Sequence, residues 1–482
     1  MTIQETRRYI EDISKRGSIL GLESIKRLCR ILSEDYPEKK KDLKEENEVC
    51  LLQDRIPAIH IAGTNGKGSV GAMLAAAYTE NGLKVGHFSS PAVFRYEEMF
   101  QIDGRPIEEE RLAGLYTEVE QACKKMEEEG LEHPTIFEVE TAAAFLYFWQ
   151  EDCQLMVIEC GMGGESDATN IMQYPLACVM TSIGKDHAKF LGDTEEEIAK
   201  VKAGIFVDDA PVISAAQAEK VSLLLKDRAE QQGADFHQVE ADKIEKVDFS
   251  FENGKIKQSF SYKGFDLELP LAGSWQLENA ALVLETIQAI NQRKGSGSNY
   301  FLSDEKTKVG IKKVKWPGRL ECLGKLPSGA YLYIDGAHNP AAAGKLADSI
   351  RRYFKGCRLI FIMGVLADKD FREVLELTLP LGERLFTLKP ANPRALSAES
   401  LAKTAKEMNS LEHLQEEKEE KQEEQEIQKA RVKLKEIRAC QSAEEALKAA
   451  DQSADENCIV LSFGSLSYLK EIKKVFEDAK RK

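Results

Sequence analysis

The fold is decided by a glycine-rich stretch, Ile59-His60-Ile61-Ala62-Gly63-Thr64-Asn65-Gly66-Lys67-Gly68-Ser69-Val70-Gly71. The apolar run that begins at Ala58 predicts a buried strand, and residues 72–78 carry a helical pattern. A glycine loop between a strand and a helix presents unpaired backbone N–H groups and the positive end of the helix dipole to an anion. Lys67 adds a mobile positive charge. The stretch therefore predicts a phosphate-binding site for a nucleotide.

This loop is shorter than the general P-loop, in which four residues separate the first glycine from Gly-Lys and a hydroxyl residue follows the lysine. Here Thr64 and Asn65 alone separate the first glycine from Gly66, and a further glycine precedes Ser69. A chance glycine-lysine loop is the alternative interpretation of such a match in isolation. Motifs in the rest of the chain are needed to distinguish a nucleotide-binding loop from a chance match.

Composition limits the classes of partner. The chain has 482 residues, which exceeds the size of one hydrophobic core and favours two domains. Its net charge of -15 argues against a nucleic-acid or membrane-surface binder and favours a small-molecule partner. The ten cysteines show no Cys-x-x-Cys spacing, which predicts free thiols. Because the chain contains neither a signal-peptide pattern nor an apolar run of 18 residues, we expect a cytoplasmic protein.

Three polar side chains follow predicted strands: Ser90, Glu159 and His187. Open parallel sheets bind ligands at the carboxyl ends of their strands. A carboxylate in this position downstream of a phosphate loop is typical of a Mg²⁺ ligand, which makes Glu159 a candidate; a carboxylate that caps the following glycine turn is the alternative. A Ser-Ser-Pro segment is usually only a turn, and a histidine nitrogen is an unusual ligand for Mg²⁺.

Strand and helix patterns alternate as far as residue 290. Residues 195–206 predict a helix that carries Lys202, residues 242–270 predict a hairpin around an Asn-Gly turn, and residues 275–290 predict a further helix. This alternation predicts an α/β fold, with an N-terminal parallel sheet of the P-loop ATPase type and helices on both faces.

Residues 292–299 have the composition of a linker, so we predict one domain over 1–297 and another over 298–482. The second part again alternates strands and helices, which predicts a smaller, Rossmann-like α/β domain. A charged insertion at about 411–436 interrupts it, and the pattern predicts a solvated segment that extends as a helix toward Arg438.

Ten short motifs, taken together, carry a family resemblance. They are Gly63-Thr64-Asn65-Gly66-Lys67-Gly68-Ser69, Ser90-Pro91, Glu159-Cys160-Gly161-Met162-Gly163-Gly164, Asp167-Ala168-Thr169-Asn170, Ile183-Gly184-Lys185-Asp186-His187, Lys202-Ala203-Gly204-Ile205, Trp316-Pro317-Gly318-Arg319, Asp335-Gly336-Ala337-His338-Asn339, Asn392-Pro393-Arg394-Ala395 and Gly464-Ser465. In this order the chain resembles folylpolyglutamate synthases, including the bifunctional forms with dihydrofolate synthase activity, among the Mur-ligase-like ATP-dependent amide ligases. These ligases also carry the shortened phosphate loop.

The resemblance implies roles for individual residues. Those implied to bind ATP are Gly63, Thr64, Asn65, Gly66, Lys67, Gly68, Ser69, Asn279, Arg319 and Asp335. Those implied to ligate Mg²⁺ are Ser90, Glu159 and His187, and those implied to act in catalysis are Lys67, Lys202, His187 and His338. Lys202 matches a lysine that relatives carbamylate, and an ordinary surface lysine is the alternative. K⁺ is a further cation that the resemblance allows.

The implied activity is the ATP-dependent addition of L-glutamate to a reduced folate, by a monomer with no nucleic-acid or membrane partner. A bifunctional enzyme that also glutamylates dihydropteroate, a P-loop kinase or ATPase, and a non-catalytic nucleotide-binding module are the alternatives. The chain departs from the family pattern at Ala92, Glu165 and Val201. By resemblance the first two lie near the pteridine, so they leave the preferred folate form open.

Overall fold

The computed structural model describes residues 1–17, 21–37, 50–186, 191–419 and 434–481. These residues form two compact units. The first comprises Met1–Glu245, Ser261–Glu268 and Glu278–Lys315, and the second comprises Lys246–Phe260, Leu269–Leu277 and Trp316–Lys482. Within the described ranges, no helix is long and apolar enough to cross a membrane. All ten cysteines fall in these ranges and are free, as the sequence predicts.

The first unit is built on a sheet that has eight strands in the described part of the chain. In chain order they are β1 (Ala58–Ala62), β2 (Val85–Phe88), β3 (Phe100–Ile102), β4 (Arg105–Pro106), β5 (Leu155–Glu159), β6 (Ala177–Met180), β7 (Val212–Ser214) and β8 (Phe236–Gln238). Their order across the sheet is β4-β3-β2-β5-β1-β6-β7-β8. The pairs from β2 to β8 are parallel, whereas β3 and β4 form an antiparallel edge. The predicted parallel sheet is confirmed.

Helices cover this sheet. Among the residues that the structure describes before 315, the α-helices are, in chain order, α1 (Ile3–Ser14), α2 (Glu23–Asp35), α3 (Lys67–Glu80), α4 (Glu109–Glu128), α5 (Ile136–Gln150), α6 (Glu195–Lys202), α7 (Glu219–Gln231), α8 (Trp275–Lys294) and α9 (Asp304–Lys312). One core cluster joins α1, α2, α4 and α5 to β2 and β5, and another joins α6 and α7 to β6 and β7. Because β1 lies between β5 and β6, its carboxyl end opens between these two groups of helices.

The predicted domain boundary after residue 297 does not coincide with the division into units. The first unit continues to Lys315 because α9 packs against α3. A Cβ on Gly310 of α9 would lie 2.5 Å from the Cα of Ala77, and Lys313 Nζ forms an ion pair with Glu80 at 2.6 Å. The linker-like composition of residues 292–299 therefore marks the end of α8 and the loop that joins it to α9.

The predicted hairpin is confirmed and extended. Its strands are β9 (Ile244–Glu252), β10 (Lys255–Tyr262) and β11 (Phe265–Leu269), in the sheet order β11-β10-β9. The turn between β9 and β10 contains Asn253 at φ 50° and Gly254 at φ 76°, the left-handed pair that an Asn-Gly turn supplies.

The second unit contains a second parallel-rich sheet, with six strands among the residues that the structure describes. The strands are β12 (Glu321–Lys325), β13 (Tyr331–Ile334), β14 (Arg358–Met363), β15 (Arg384–Thr387), β16 (Glu436–Ala439) and β17 (Cys458–Phe463). Their order is β12-β13-β17-β14-β15-β16, and β12 alone of these pairs antiparallel. The helices are α10 (Pro340–Tyr353), α11 (Phe371–Thr378), α12 (Ala398–Glu419), α13 (Ala443–Gln452) and α14 (Leu469–Arg481). The predicted Rossmann-like alternation is confirmed.

One element of the second unit differs from its prediction. Arg438 lies in β16, whereas the charge pattern predicts a helix extending toward it. Strand geometry is favoured here because Arg384 and Glu436 pair across β15 and β16 while Ile437 packs against the core. Residues 420–433 of the predicted insertion lie outside the described residues.

The contact of α9 with α3 gives a stability prediction. Gly310→Ala places a methyl group against the backbone of Ala77, so we expect it to lower the free energy of unfolding by about 1–3 kcal/mol, the usual cost of overpacking. Gly114→Ala in α4 is the matched control, since the nearest atom to its Cβ would be 3.9 Å away. There the better helix propensity of alanine should add up to about 1 kcal/mol. Urea unfolding of both variants measures the difference, and equal effects would contradict the close contact.

Candidate active site

The loop after β1 has a conformation that glycine alone fits. Gly63 has φ 140° and Gly66, which precedes α3, has φ 98°. A Cβ on Gly63 would lie 1.9 Å from Thr181 Oγ1, and a Cβ on Gly66 would lie 2.6 Å from Asn279 Oδ1. The structure thus places Asn279 against the loop. Gly68 and Ser69 form the first turn of α3.

Hydrogen bonds join the loop to the segment after β6. The backbone N–H of Thr64 donates to the carbonyl oxygen of Ser182 at 2.9 Å, and the Thr64 hydroxyl donates to the carbonyl oxygen of Gly184 at 3.0 Å. The Ser182 hydroxyl donates to the carbonyl oxygen of Asn65 at 3.3 Å. The carboxyl ends of two adjacent strands therefore support the loop.

Two ammonium groups converge on one backbone oxygen of this loop. Lys67 Nζ donates to the carbonyl oxygen of Gly63 at 3.2 Å, and Lys202 Nζ donates to the same oxygen at 2.9 Å. The nearby carboxylate of Glu159 is 3.7 Å from Lys67 Nζ. Because two cations and one anion meet at a helix N-terminus, the local field is positive and attracts a phosphate group.

Lys202 is not the surface lysine that the alternative interpretation expects, because only 5% of it is exposed. Burial, followed by the charge of Lys67, lowers the pKa of Lys202 to about 8. The helix predicted over 195–206 ends at Lys202 and continues as a 3₁₀ turn, because Gly204 packs directly against Glu165. A Cβ on Gly204 would lie 2.5 Å from the Glu165 Cα.

Oxygen side chains follow two neighbouring strands at the same edge. Glu159 is the last residue of β5, Ser90 follows β2, and these strands pair in parallel with Phe88 opposite Ile158. Carboxylate and hydroxyl oxygens are ligands that Mg²⁺ prefers, so this pair fits the implied metal. His187, the third predicted ligand, lies outside the described residues. Within the described ranges, no group of three or more His, Cys, Asp and Glu side chains is placed to hold a metal ion.

The second unit brings three predicted residues together at the end of β13. Asp335 is buried, and its carboxylate accepts from the backbone N–H of Leu320 at 2.7 Å and from that of Ala337 at 2.8 Å. Burial raises the pKa of Asp335, and Arg319 opposes this shift. A Cβ on Gly336 would lie 2.5 Å from Arg319 Nη1, and His338 Nδ1 donates to the carbonyl oxygen of Gly336 at 2.7 Å.

Comparison with known proteins identifies the family. The Mur ligase middle domain matches residues 61–287, and the Mur ligase glutamate ligase domain matches residues 318–466. The chain is 32% identical over 404 residues to the dihydrofolate synthase/folylpolyglutamate synthase of Bacillus subtilis (strain 168), covering 83% of this chain and 87% of the relative. The chain belongs to the folylpolyglutamate and dihydrofolate synthase family. This membership confirms the predicted class of enzyme, a ligase, over the kinase and the non-catalytic module.

Other members of the synthase family agree in sequence and fold. The folylpolyglutamate synthase of Lacticaseibacillus casei is 31% identical over 348 residues, 70% of this chain and 78% of its own. The structure of Mycobacterium tuberculosis folylpolyglutamate synthase complexed with ADP and AMPPCP superposes with a TM-score of 0.80 at 26% identity, covering 98% of each chain. E. coli FolC in complex with DHPP and ADP superposes with a TM-score of 0.77 at 25% identity, covering 100% of this chain and 99% of that one.

Sequence patterns missed two residues that support the synthase loop through tertiary contacts. Thr181 lies against Gly63, and the carbonyl oxygen of Ser182 accepts from the loop. No local pattern marks these residues, because they reach the loop only once β6 pairs with β1. Asp167 belongs to a quoted motif but was given no role; its carboxylate accepts from the backbone N–H of Met162 at 2.8 Å and from that of Thr169 at 3.0 Å, the turn that aspartate favours.

We expect Lys67→Ala to lower the ligase turnover of this synthase-family protein by about 10²–10³-fold, the usual effect of losing one preorganised charged donor. The fold should survive, because Lys67 contributes charge to the loop and has no apolar packing role. Lys226→Ala is the matched control, since Lys226 is exposed on α7 and pairs with the exposed Glu230 of the same helix. Steady-state ATP turnover measures the activity of each variant, and thermal unfolding shows whether it is folded. Wild-type turnover in a folded Lys67→Ala variant would show that Lys67 does not contact ATP.

Proposed function

We propose that this protein adds L-glutamate to the γ-carboxylate of a reduced, already glutamylated folate and converts ATP to ADP and phosphate in the same reaction. The observation that carries the proposal is the convergence of Lys67 and Lys202 on the Gly63 carbonyl oxygen at the N-terminus of α3. A bound phosphate relieves the repulsion between these two ammonium groups. Folate and glutamate are proposed as the substrates because the chain belongs to this synthase family.

ATP is needed because a carboxylate oxygen is too poor a leaving group for an amine to displace. Transfer of the γ-phosphoryl group to the folate carboxylate forms an acyl phosphate. The amine of glutamate then attacks the acyl carbon, and phosphate leaves as the amide bond forms. Because the transition state spreads negative charge over the phosphoryl oxygens, the proposed work of the loop is electrostatic stabilisation and positioning.

We assign the phosphates of ATP to the loop from Gly63 to Ser69, with Lys67 as the charged contact and Asn279 beside Gly66. Arg319, Asp335 and His338 are proposed as the contacts of the second unit to the nucleotide. Their support is that they meet at the carboxyl end of β13, the edge where parallel sheets bind ligands.

Ser90, Glu159 and His187 are proposed to hold Mg²⁺. The ion supplies positive charge that offsets the phosphoryl oxygens during transfer. The oxygen donors at the ends of β2 and β5 support this assignment. K⁺ remains a further proposed cation.

Lys202 is proposed as a site of carbamylation. With a pKa of about 8, about a tenth of it is neutral amine at pH 7. The neutral nitrogen attacks the carbon of CO₂, an N–C bond forms, and one proton leaves the nitrogen, so a cation becomes an anion. The charge change would relieve the repulsion between Lys202 and Lys67. The monomeric state, the cytoplasmic location and the absence of nucleic-acid or membrane partners stay predictions.

Glu159→Gln should raise the Mg²⁺ concentration needed for half-maximal activity by about tenfold or more, because the side chain keeps its size and loses its charge. Folate binding without ATP should hardly change. Glu230→Gln, an exposed carboxylate on α7, is the control. Activity titrated with Mg²⁺ and equilibrium binding of tetrahydrofolate separate the two effects, and an unchanged Mg²⁺ titration would reject Glu159 as a ligand.

The second candidate activity is the glutamylation of dihydropteroate, because the names of several relatives include dihydrofolate synthase. We expect kcat/KM for dihydropteroate to be more than about tenfold below that for tetrahydrofolate, or 1.4 kcal/mol in transition-state binding. The reason is that, by the resemblance, Ala92 and Glu165 stand where the family pattern has His and Arg, and the field of a reversed charge reaches about 8 Å in physiological salt.

ATP turnover with each acceptor, with and without glutamate, measures this preference. Glu165→Arg should narrow the gap, since it restores the family's charge. Similar kcat/KM for the two acceptors in the wild type would show a bifunctional enzyme instead. ATP turnover that no folate acceptor stimulates would contradict the proposed function as a whole.

A further inference from the structure

A buried polar cluster lies beneath the loop and has no role in the reaction described above. It contains His60, in the middle of β1, and Cys160, Asp167 and Thr169 from the segment that follows β5. His60 Nε2 is 2.8 Å from Thr169 Oγ1 and 3.1 Å from Cys160 Sγ. Polar groups are costly to bury without partners, so their mutual contacts determine how this segment sits on the sheet.

The direction of the hydrogen bonds follows from Asp167. One carboxylate oxygen accepts from the Met162 N–H at 2.8 Å, and the other accepts from both the N–H and the hydroxyl of Thr169, at 3.0 and 2.6 Å. The hydroxyl proton of Thr169 therefore points to Asp167 in preference to Cys160 Sγ, which is neutral and 3.4 Å away. His60 Nε2 must then be the donor to Thr169. Burial lowers the pKa of His60 to about 3, so the ring is neutral at pH 7, and the assignment of its proton to Nε2 rests on the hydrogen-bond geometry.

The segment held in this way contacts the backbone around Lys202. The N–H of Glu165 donates to the carbonyl oxygen of Val201 at 3.1 Å, and Asn170 Nδ2 donates to that of Gly204 at 3.0 Å. A Cβ on Gly164 would lie 2.5 Å from the carbonyl oxygen of Lys202. The backbone of Lys202 is thus fixed from both sides, before and after the residue.

These contacts lead from β1 through segment 161–170 and Lys202 back to the loop that follows β1. His60 is three residues before Gly63 on the same strand and loop, and Lys202 Nζ donates to the Gly63 carbonyl oxygen at 2.9 Å. We propose that His60 and Thr169 are positioning residues for Lys202. The hydrogen bond between them holds segment 161–170 in place, and this segment determines where the ammonium group of Lys202 contacts the loop. Their effect on turnover rests on the proposed function, whereas their effect on Lys202 does not.

The experiment compares Thr169→Val, which loses the hydroxyl at constant shape, with Thr169→Ser, which keeps it. Thr286→Val is the matched control, because Thr286 is equally buried and its hydroxyl donates to the carbonyl oxygen of Leu282 within α8. The first readout is the rate at which acetic anhydride acylates Lys202 in CO₂-free buffer, measured by mass spectrometry with the exposed Lys200 of the same helix as internal reference. The second is kcat and KM for ATP.

We expect Thr169→Val to raise the acylation rate of Lys202 relative to Lys200 by about tenfold and to lower kcat by a similar factor, as the loss of one buried hydrogen bond implies. Thr169→Ser and Thr286→Val should keep the wild-type ratio. Thr169→Val could instead lower stability while the acylation rate of Lys202 relative to Lys200 equals that of Thr286→Val. The cluster would then serve stability alone, and the proposal would be overturned. If acylation changes but no folate supports turnover in any protein, the positioning stands and the proposed function fails.

A measurement on the wild type decides the matter if Thr169→Val does not fold. In protein labelled with ¹⁵N-histidine, with the His60 signals assigned by their loss in His60→Gln, the ring should be neutral at pH 7 and protonated on Nε2. A ring protonated on Nδ1 would leave Thr169 without its donor and overturn the proposal. His60→Gln retains an amide N–H donor, so its Lys202 acylation ratio should match the wild type, and a changed ratio in the folded variant would contradict the proposal.

Discussion

The carbonyl oxygen of Gly63 accepts hydrogen bonds from two lysine ammonium groups, and much of the first unit is arranged so that it can. The oxygen lies in a turn directly after β1 at which Gly63 has φ 140°. Such a turn requires glycine, and the Thr181 side chain fills the space where a Cβ would lie. The two ammonium groups repel each other, and the Glu159 carboxylate at 3.7 Å from Lys67 Nζ offsets only part of their positive charge.

The parallel sheet brings these groups to one place. β1 lies between β5 and β6, so the loop after β1, Glu159 at the end of β5 and Thr181 after β6 meet at one edge. Lys202 reaches the same edge from α6, and its backbone is fixed by the segment that follows Glu159. Residues far apart in the chain thus share one small region, whose charges are only partly screened by solvent.

Local patterns predicted the elements whose sequence signal is strong. β1 begins at Ala58 and α8 at Trp275, where the predicted strand and helix begin, because an unbroken apolar run and a long helical pattern leave few alternatives. The glycine loop and the carboxylate after β5 were predictable for the same reason. The domain boundary was not, because the contact of α9 with α3 is made across more than 200 residues. The burial of Lys202 was not either, since a lysine at the end of a helix looks the same in sequence whether solvent or a second segment covers it.

The packing of α9 on α3 bears on how the loop would respond to a ligand. α3 begins at the loop, and its far end is held by Gly310 against Ala77 and by Lys313 against Glu80. A helix held at that end does not shift easily along its axis, so its first N–H groups stay aimed at the same point with or without an anion. Little conformational entropy is then lost from this helix on binding, and the heat of nucleotide binding should report desolvation and charge neutralisation rather than folding of the loop.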